Sequence, residues 1–184
     1  IGLDTVDLKE GDWIEVDDQL RVTGFDWLFA VGDVNKRSLL THSGKYQARV
    51  ASETILGRKA TATSDVDGPP RVTFTDPQIA AVGLTAEQAT QKGIEVETVD
   101  VSTSGNAGAS FHGRNTAGTS RLVIDKDGEA VVGATFVGYQ TAELLHSATV
   151  AVSCGVPVQK LVEAIPAFPT RTEIWLKLLE KYGL

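Results

Sequence analysis

Apolar positions along the chain follow two rhythms that change near residue 70. Before that point, residues 20–23 (LRVT) and 27–31 (WLFAV) predict two short strands, the second a continuous apolar run of the kind buried on both faces. Gly32-Asp33 ends the run. From Thr41, the residues Tyr46, Val50 and Ile55, with alanines between them, recur at helical spacing, and Gly57 supplies a stop. This predicts strand, loop, helix.

Residues 58–70 (RKATATSDVDGPP) are small and polar and close on a proline pair, as a linker does. Beyond it, strands are predicted at 71–75, 79–83, 95–101, 121–125 and 130–138, with Asp127-Gly128 turning the last two into a hairpin. A short helix is expected between the second and third, capped by Thr85, with Gln88 in the capping-box position and Gly93 at its end. Three helices close the chain. Leu144, Leu145, Ala148, Ala151 and Val152 form one apolar stripe; Pro157 sits in the first turn of the second helix; Ile174, Trp175, Leu178 and Leu179 form another stripe. The fold class is α+β, an antiparallel sheet with helices packed on it. Residues 103–119 lack apolar periodicity and read as a long loop.

Composition narrows the function classes. Apolar residues make up 42% and charged residues 22% of 184 positions, which suits a folded soluble chain. With 17 Lys+Arg against 24 Asp+Glu, the net charge of -7 argues against nucleic acid as a partner. The longest apolar runs are too short and glycine-broken to span a bilayer, so a cytoplasmic protein is expected. The single cysteine, Cys154, cannot form an internal disulfide, has no metal-ligand spacing around it and is expected to be a small buried hydrophobe. No metal site is expected. His112 and His146 read as surface or packing residues. A chain without methionine that opens on Ile1 is expected to be a cloned or cleaved piece.

In order, FAVGD, LLTH opening a helix, a linker, PRVTFTDPQIAAVGLT, LVIDKDGEAVVGATFVG and FPTRTE resemble the C-terminal part of the flavoprotein disulfide reductases. These are pyridine nucleotide-disulfide oxidoreductases of the dihydrolipoamide dehydrogenase and mercuric reductase kind. The resemblance implies that residues 1–60 are the last segment of an FAD-binding domain, 61–70 a linker and 71–184 a dimerisation domain. It also implies FAD as cofactor, NAD(P)H as co-substrate through another domain, and a homodimer. No G-x-G-x-x-G follows a strand and no C-x-x-x-x-C occurs, so no turnover is expected from this chain alone.

The cofactor end has its own physical logic. A strand ending in Gly32-Asp33 lets the backbone approach a ligand, and the carboxylate can accept hydrogen bonds from ribityl hydroxyls. The helix beginning near Thr41 aims its free N–H groups and positive dipole end toward the same crevice. By the resemblance, Asp33 binds the ribityl chain, while Leu39, Leu40, Thr41 and His42 line the isoalloxazine. Thr41 stands where alanine is usual, which leaves a main-chain N–H contact intact.

The family carries His-Pro-Thr-x-x-Glu, whose histidine is the acid-base for a dithiol at the partner's flavin and whose glutamate orients it. This sequence has Phe168-Pro169-Thr170-Arg171-Thr172-Glu173. A phenyl ring can line a pocket but cannot carry a proton, so the dithiol role comes into question and the acceptor stays open between a disulfide, a quinone and a metal ion. Phe168 reads equally as core or interface packing, with Thr172 and Glu173 as helix cap and first-turn carboxylate. Two functions stand: part of a flavin-dependent NAD(P)H oxidoreductase, or an interaction module that only pairs.

Overall fold

The computed structural model describes residues 2–111 and 117–184. The expectation for His112 therefore lies outside the described residues. The chain forms two compact units, Ile1–Pro69 and Pro70–Leu184.

In the first unit the expected strands do not form as regular elements. Residues 16–31 fold instead as a tight irregular crossing held by isolated antiparallel bridges, Val16 to Val22 and Arg21 to Phe29. Leu20 and Gly24 both have positive φ, which turns the chain before a ladder can extend. Of the run 27–31 only Ala30 is buried; Trp27 and Val31 are exposed, so the run is not covered on both faces within the described residues. Gly32 leads into a short 3-10 turn, Asp33–Asn35.

The helix α1, Thr41–Ile55, forms as expected and ends just before Gly57, which has the positive φ of a helix stop. Its buried face differs from the predicted stripe. Gln47, Val50, Ala51 and Thr54 are buried while Ile55 is 65% exposed. Val50 and Ala51 pack with Leu20 and Ala62, against which Phe29 and Tyr46 also lie. Residues 58–69 are fastened to this unit, since both Ala62 and Asp65 are buried.

The second unit is a five-stranded antiparallel sheet with helices over it. Its strands are β1 (Arg71–Thr73), β2 (Gln78–Gly83), β3 (Val96–Ser102), β4 (Thr119–Asp125) and β5 (Ala130–Gly138), in the order β1-β2-β5-β4-β3. β4 and β5 form the hairpin, with a bulge between Val123 and Ile124. The helix α2, Ala86–Gln91, carries the expected capping box: Gln88 N–H donates to Thr85 Oγ1 at 3.2 Å and Thr85 N–H to Gln88 Oε1 at 2.9 Å.

Where a long loop is expected, the described residues hold a short helix, α3 (Ala107–Ser110), capped by Asn106, whose Oδ1 accepts the Ala109 N–H at 2.9 Å. Then come α4 (Leu145–Ser153), α5 (Val158–Leu161) and α6 (Ile174–Tyr182). Leu145, Ala148 and Ala151 of α4, with Ile174, Trp175, Leu178 and Leu179 of α6, meet Leu122, Ile124 and Phe136 of the sheet in one core. Burying each large aliphatic or aromatic side chain there contributes roughly 1.5–3 kcal/mol. Phe136 and Trp175 meet edge to face, with centroids 6.3 Å apart. Cys154 is exposed rather than buried, because it falls at the C-cap of α4, beyond the helix's buried stripe. His146 is on the surface.

Candidate functional site

The turn at Gly32 is held directly against the first turns of α1. Gly32 has φ 78° and ψ -156°, a conformation that side-chain-bearing residues rarely adopt. Its N–H donates to Gln47 Oε1 at 2.7 Å, and the same oxygen accepts from Asn35 Nδ2 at 2.9 Å. Asn35 Nδ2 also donates to the Ala30 carbonyl at 3.0 Å, which closes the turn on itself. The approach is so close that a Cβ on Gly44 would lie 3.2 Å from Gly32 Cα.

This packing gathers six of the expected site positions, Gly32, Asp33 and residues 39–42, around the N-terminal part of α1. Asp33 follows Gly32 with its side chain exposed, and Leu40 is the N-cap residue, with no side-chain hydrogen bond capping the helix. Thr41 and His42 form the exposed first turn, and Leu39 just before them is 57% exposed. The first unit thus has an exposed carboxylate next to a turn docked on α1, and uncapped first-turn amides preceded by exposed Leu39 and half-buried Leu40. Gln47 and Asn35 were not singled out in the sequence; being polar, they carry no trace in an apolar pattern.

The remaining positions, Phe168 and Glu173, lie in the second unit. Glu173 ends a 3-10 turn, Arg171–Glu173, that runs into α6. Its Oε1 accepts the Thr170 N–H at 2.8 Å and the Gly108 N–H at 3.2 Å. Thr170, not Thr172, therefore holds the cap position. Gly108 is required there, since a Cβ would fall 2.0 Å from the Thr170 carbonyl carbon. Glu173 is thus occupied in joining α3 to the Phe-Pro-Thr turn.

Phe168 is 79% exposed within the chain, which overturns its reading as a core residue. Ile165 beside it is 86% exposed. A hollow of about 570 Å³ adjoins them, lined by Val150, Ala151, Leu161, Ile165, Ala167 and Trp175. Arg171 lies 6.0 Å from the Tyr139 ring centroid, and burial pushes its guanidinium pKa down. Among the described residues there is no cluster of His, Cys, Asp and Glu fit to hold a metal, and no helix long and apolar enough to cross a membrane.

Comparison with known proteins places this architecture. Residues 69–179 match the pyridine nucleotide-disulphide oxidoreductase dimerisation domain. Dihydrolipoyl dehydrogenase from Staphylococcus aureus is 30% identical over 183 residues, covering 98% of this chain and 38% of its own length. LpdA from Mycobacterium tuberculosis superposes over 100% of this chain and 40% of its own, at TM-score 0.86 and 22% identity. The HOCl-induced flavoprotein disulfide reductase RclA from Escherichia coli superposes over 94% of this chain and 39% of its own, at TM-score 0.79 and 23% identity. The two superpositions show a shared fold, and the chain spans well under half the length of each of these relatives. With the antiparallel sheet, the helices over it and the family match all covering the same residues, the chain belongs to the pyridine nucleotide-disulphide oxidoreductases and carries their dimerisation domain.

Proposed function

We propose that this chain supplies flavin contacts and the subunit interface of a homodimeric FAD-dependent NAD(P)H oxidoreductase, with residues 1–60 belonging to the flavin domain, 61–70 connecting the domains while folded onto the first through Ala62 and Asp65, and 71–184 belonging to the interface domain. The chemistry that FAD would supply when bound is acceptance of hydride from NAD(P)H and delivery of two electrons to an acceptor. The observation that carries this reading is the docking of Gly32 on α1, which holds the backbone just before Asp33 against the N-terminal half of a helix whose start has no side-chain cap.

Each side chain then has a task. Asp33 would accept hydrogen bonds from ribityl hydroxyls, and the Thr41 and His42 amides would stabilise the negative charge that develops on the ring on reduction. Leu39 and Leu40 give an apolar wall that keeps water from the ring. Uncapped amides as donors, an exposed carboxylate as acceptor, exposed Leu39 and half-buried Leu40 are the set that a flavin's ribityl chain and ring call for.

The exposed Phe168, Ile165 and the adjoining apolar hollow are the surface a second copy of the chain covers. In the pair, Phe168 lines the acceptor side of the partner's flavin. It holds no proton, and Glu173 is committed to backbone amides, so this turn positions an acceptor rather than activating a thiol. The acceptor is accordingly one that leans less on a proton relay from this turn than a dithiol does, a quinone or a metal ion before a disulfide.

Anaerobic titration of the full gene product with NADH and NADPH tests the reading. A yellow protein bleached by one of them is expected; a colourless protein, or a yellow one that neither bleaches, overturns it. For the acceptor turn, Phe168→His should create or change lipoamide disulfide turnover, and no change in it would refute the role given to Phe168.

A further inference from the structure

The hydrogen bonds that seat the Gly32 turn do not stop at Gln47. The side chain of Gln47 is wholly buried, and its Nε2 donates to Asp65 Oδ2 at 2.8 Å. Asp65 is also wholly buried, and Arg37 grips it with a fork, Nε to Oδ2 at 3.0 Å and one terminal nitrogen to Oδ1 at 3.1 Å. The other terminal nitrogen of Arg37 reaches Asp18 Oδ1 at 3.0 Å, and the forked one also donates to the Ala62 carbonyl at 2.8 Å. Finally the Arg37 N–H donates to Asn35 Oδ1 at 3.0 Å, which returns the network to the turn where it began.

We infer that Gln47 is the positioning residue of the cofactor turn, and that the buried Asp65–Arg37 pair fixes its amide in the one orientation that holds Gly32 in place. The inference rests on the flavin reading above. Orientation is dictated by the neighbours: Oε1 faces two N–H donors and Nε2 faces a carboxylate, so a flipped amide would set NH2 against the Gly32 N–H and the Asn35 NH2.

A buried carboxylate with no counter-ion would be costly, and Arg37 removes that cost. Its guanidinium is held above its ordinary pKa, chiefly by the hydrogen bond to Asp65, with burial opposing and Asp18 adding to the rise. The Gly32 amide is therefore turned inward to protein, and the next side chain, Asp33, is left outward for the ligand. Two residues 32 positions apart, Asp33 and Asp65, thus act in one device, one touching the cofactor and the other setting where that contact occurs.

The test uses the full gene product stripped of flavin and titrated with FAD, with the visible circular dichroism of the FAD-saturated protein as a second readout. Gln47→Met, which keeps the bulk and removes all three bonds, should weaken FAD binding at least about tenfold and change the flavin's dichroism. Arg37→Lys keeps a cation at Asp65 without the fork and should give about a threefold loss with a change of the same sign. If Gln47→Met does not fold, Arg37→Lys decides. FAD affinity within about twofold of the parent protein and unchanged dichroism in a folded variant would overturn the inference. Failure of the flavin reading is distinguishable, because the unsubstituted protein would then take up no FAD.

Discussion

Gly44 of α1 and Gly32 of the turn before Asp33 are packed backbone to backbone, leaving 3.2 Å between a Cβ built on Gly44 and the Gly32 Cα. Replacing Gly44 by alanine sets two effects against each other. The helix gains about 1 kcal/mol in propensity, while the turn must shift by a few tenths of an ångström. Thermal unfolding of Gly44→Ala is therefore expected to change little, whereas FAD affinity should fall about fivefold, or about 1 kcal/mol. Parallel melting and FAD titration check this.

The junction between α3 and the Phe-Pro-Thr turn leaves no such room. A Cβ on Gly108 would sit 2.0 Å from the Thr170 carbonyl carbon and 2.3 Å from its oxygen, both backbone atoms. Gly108→Ala must pry the two segments apart and strain the Glu173 bridge. The expected cost is about 1–3 kcal/mol in urea unfolding of the chain.

On the sheet, Arg121 of β4 grips Asp100 of β3 through two hydrogen bonds of 2.7 and 2.6 Å. The Arg121 hydrogen bond lowers the Asp100 pKa, against the opposing effect of partial burial. A carboxylate depressed in the folded state contributes stability above its unfolded value of about 3.9 and loses it as pH falls through the lower folded value. Both side chains are more than a third exposed, so water and salt screen the pair to under about 1 kcal/mol. Asp100→Asn should be slightly less stable than the parent at pH 7 by chemical denaturation, and the difference should shrink as pH falls below the unfolded value of about 3.9 and through the lower folded one.

Arg171 is the opposite case. Its Nε and one terminal nitrogen are buried with no hydrogen-bond partner among the described residues. Unmet buried donors cost stability, and a methionine fills similar volume without them. Arg171→Met is expected to leave the urea midpoint unchanged or to raise stability by up to about 1 kcal/mol. A loss of more than about 1 kcal/mol would mean that the guanidinium is paired.

The parts of this fold that were legible in the sequence depend on local chemistry. Thr85 and Gln88 are three residues apart and reveal their helix by themselves, and the stripe of Ile174, Trp175, Leu178 and Leu179 shows its core face directly. The parts that were hidden depend on contacts between polar residues far apart. Gln47 and Asp65 are 18 positions apart and both wholly buried, yet each reads as surface in an apolar pattern, and the stripe of α1 was aimed at Ile55 as a result. Asn106, within the stretch 103–119 that lacks apolar periodicity, caps α3 through its own side chain, a local signal that apolar spacing does not carry. At the candidate site, Gly32-Asp33 and the helix start near Thr41 have chemistry of their own, whereas the flavin roles of Asp33 and residues 39–42 come from the family resemblance. The occupation of Glu173 by Gly108 could not, since it joins segments 65 residues apart.

Asp33 offers the most direct measurement. The dissociation constant of FAD should be determined by titrating flavin-free full gene product, parent and Asp33→Ala, with folding checked by far-ultraviolet circular dichroism. Loss of charged hydrogen bonds to the ribityl chain predicts binding at least about tenfold weaker in a normally folded variant. Equal affinity in the two proteins would contradict the assignment of this turn to the cofactor.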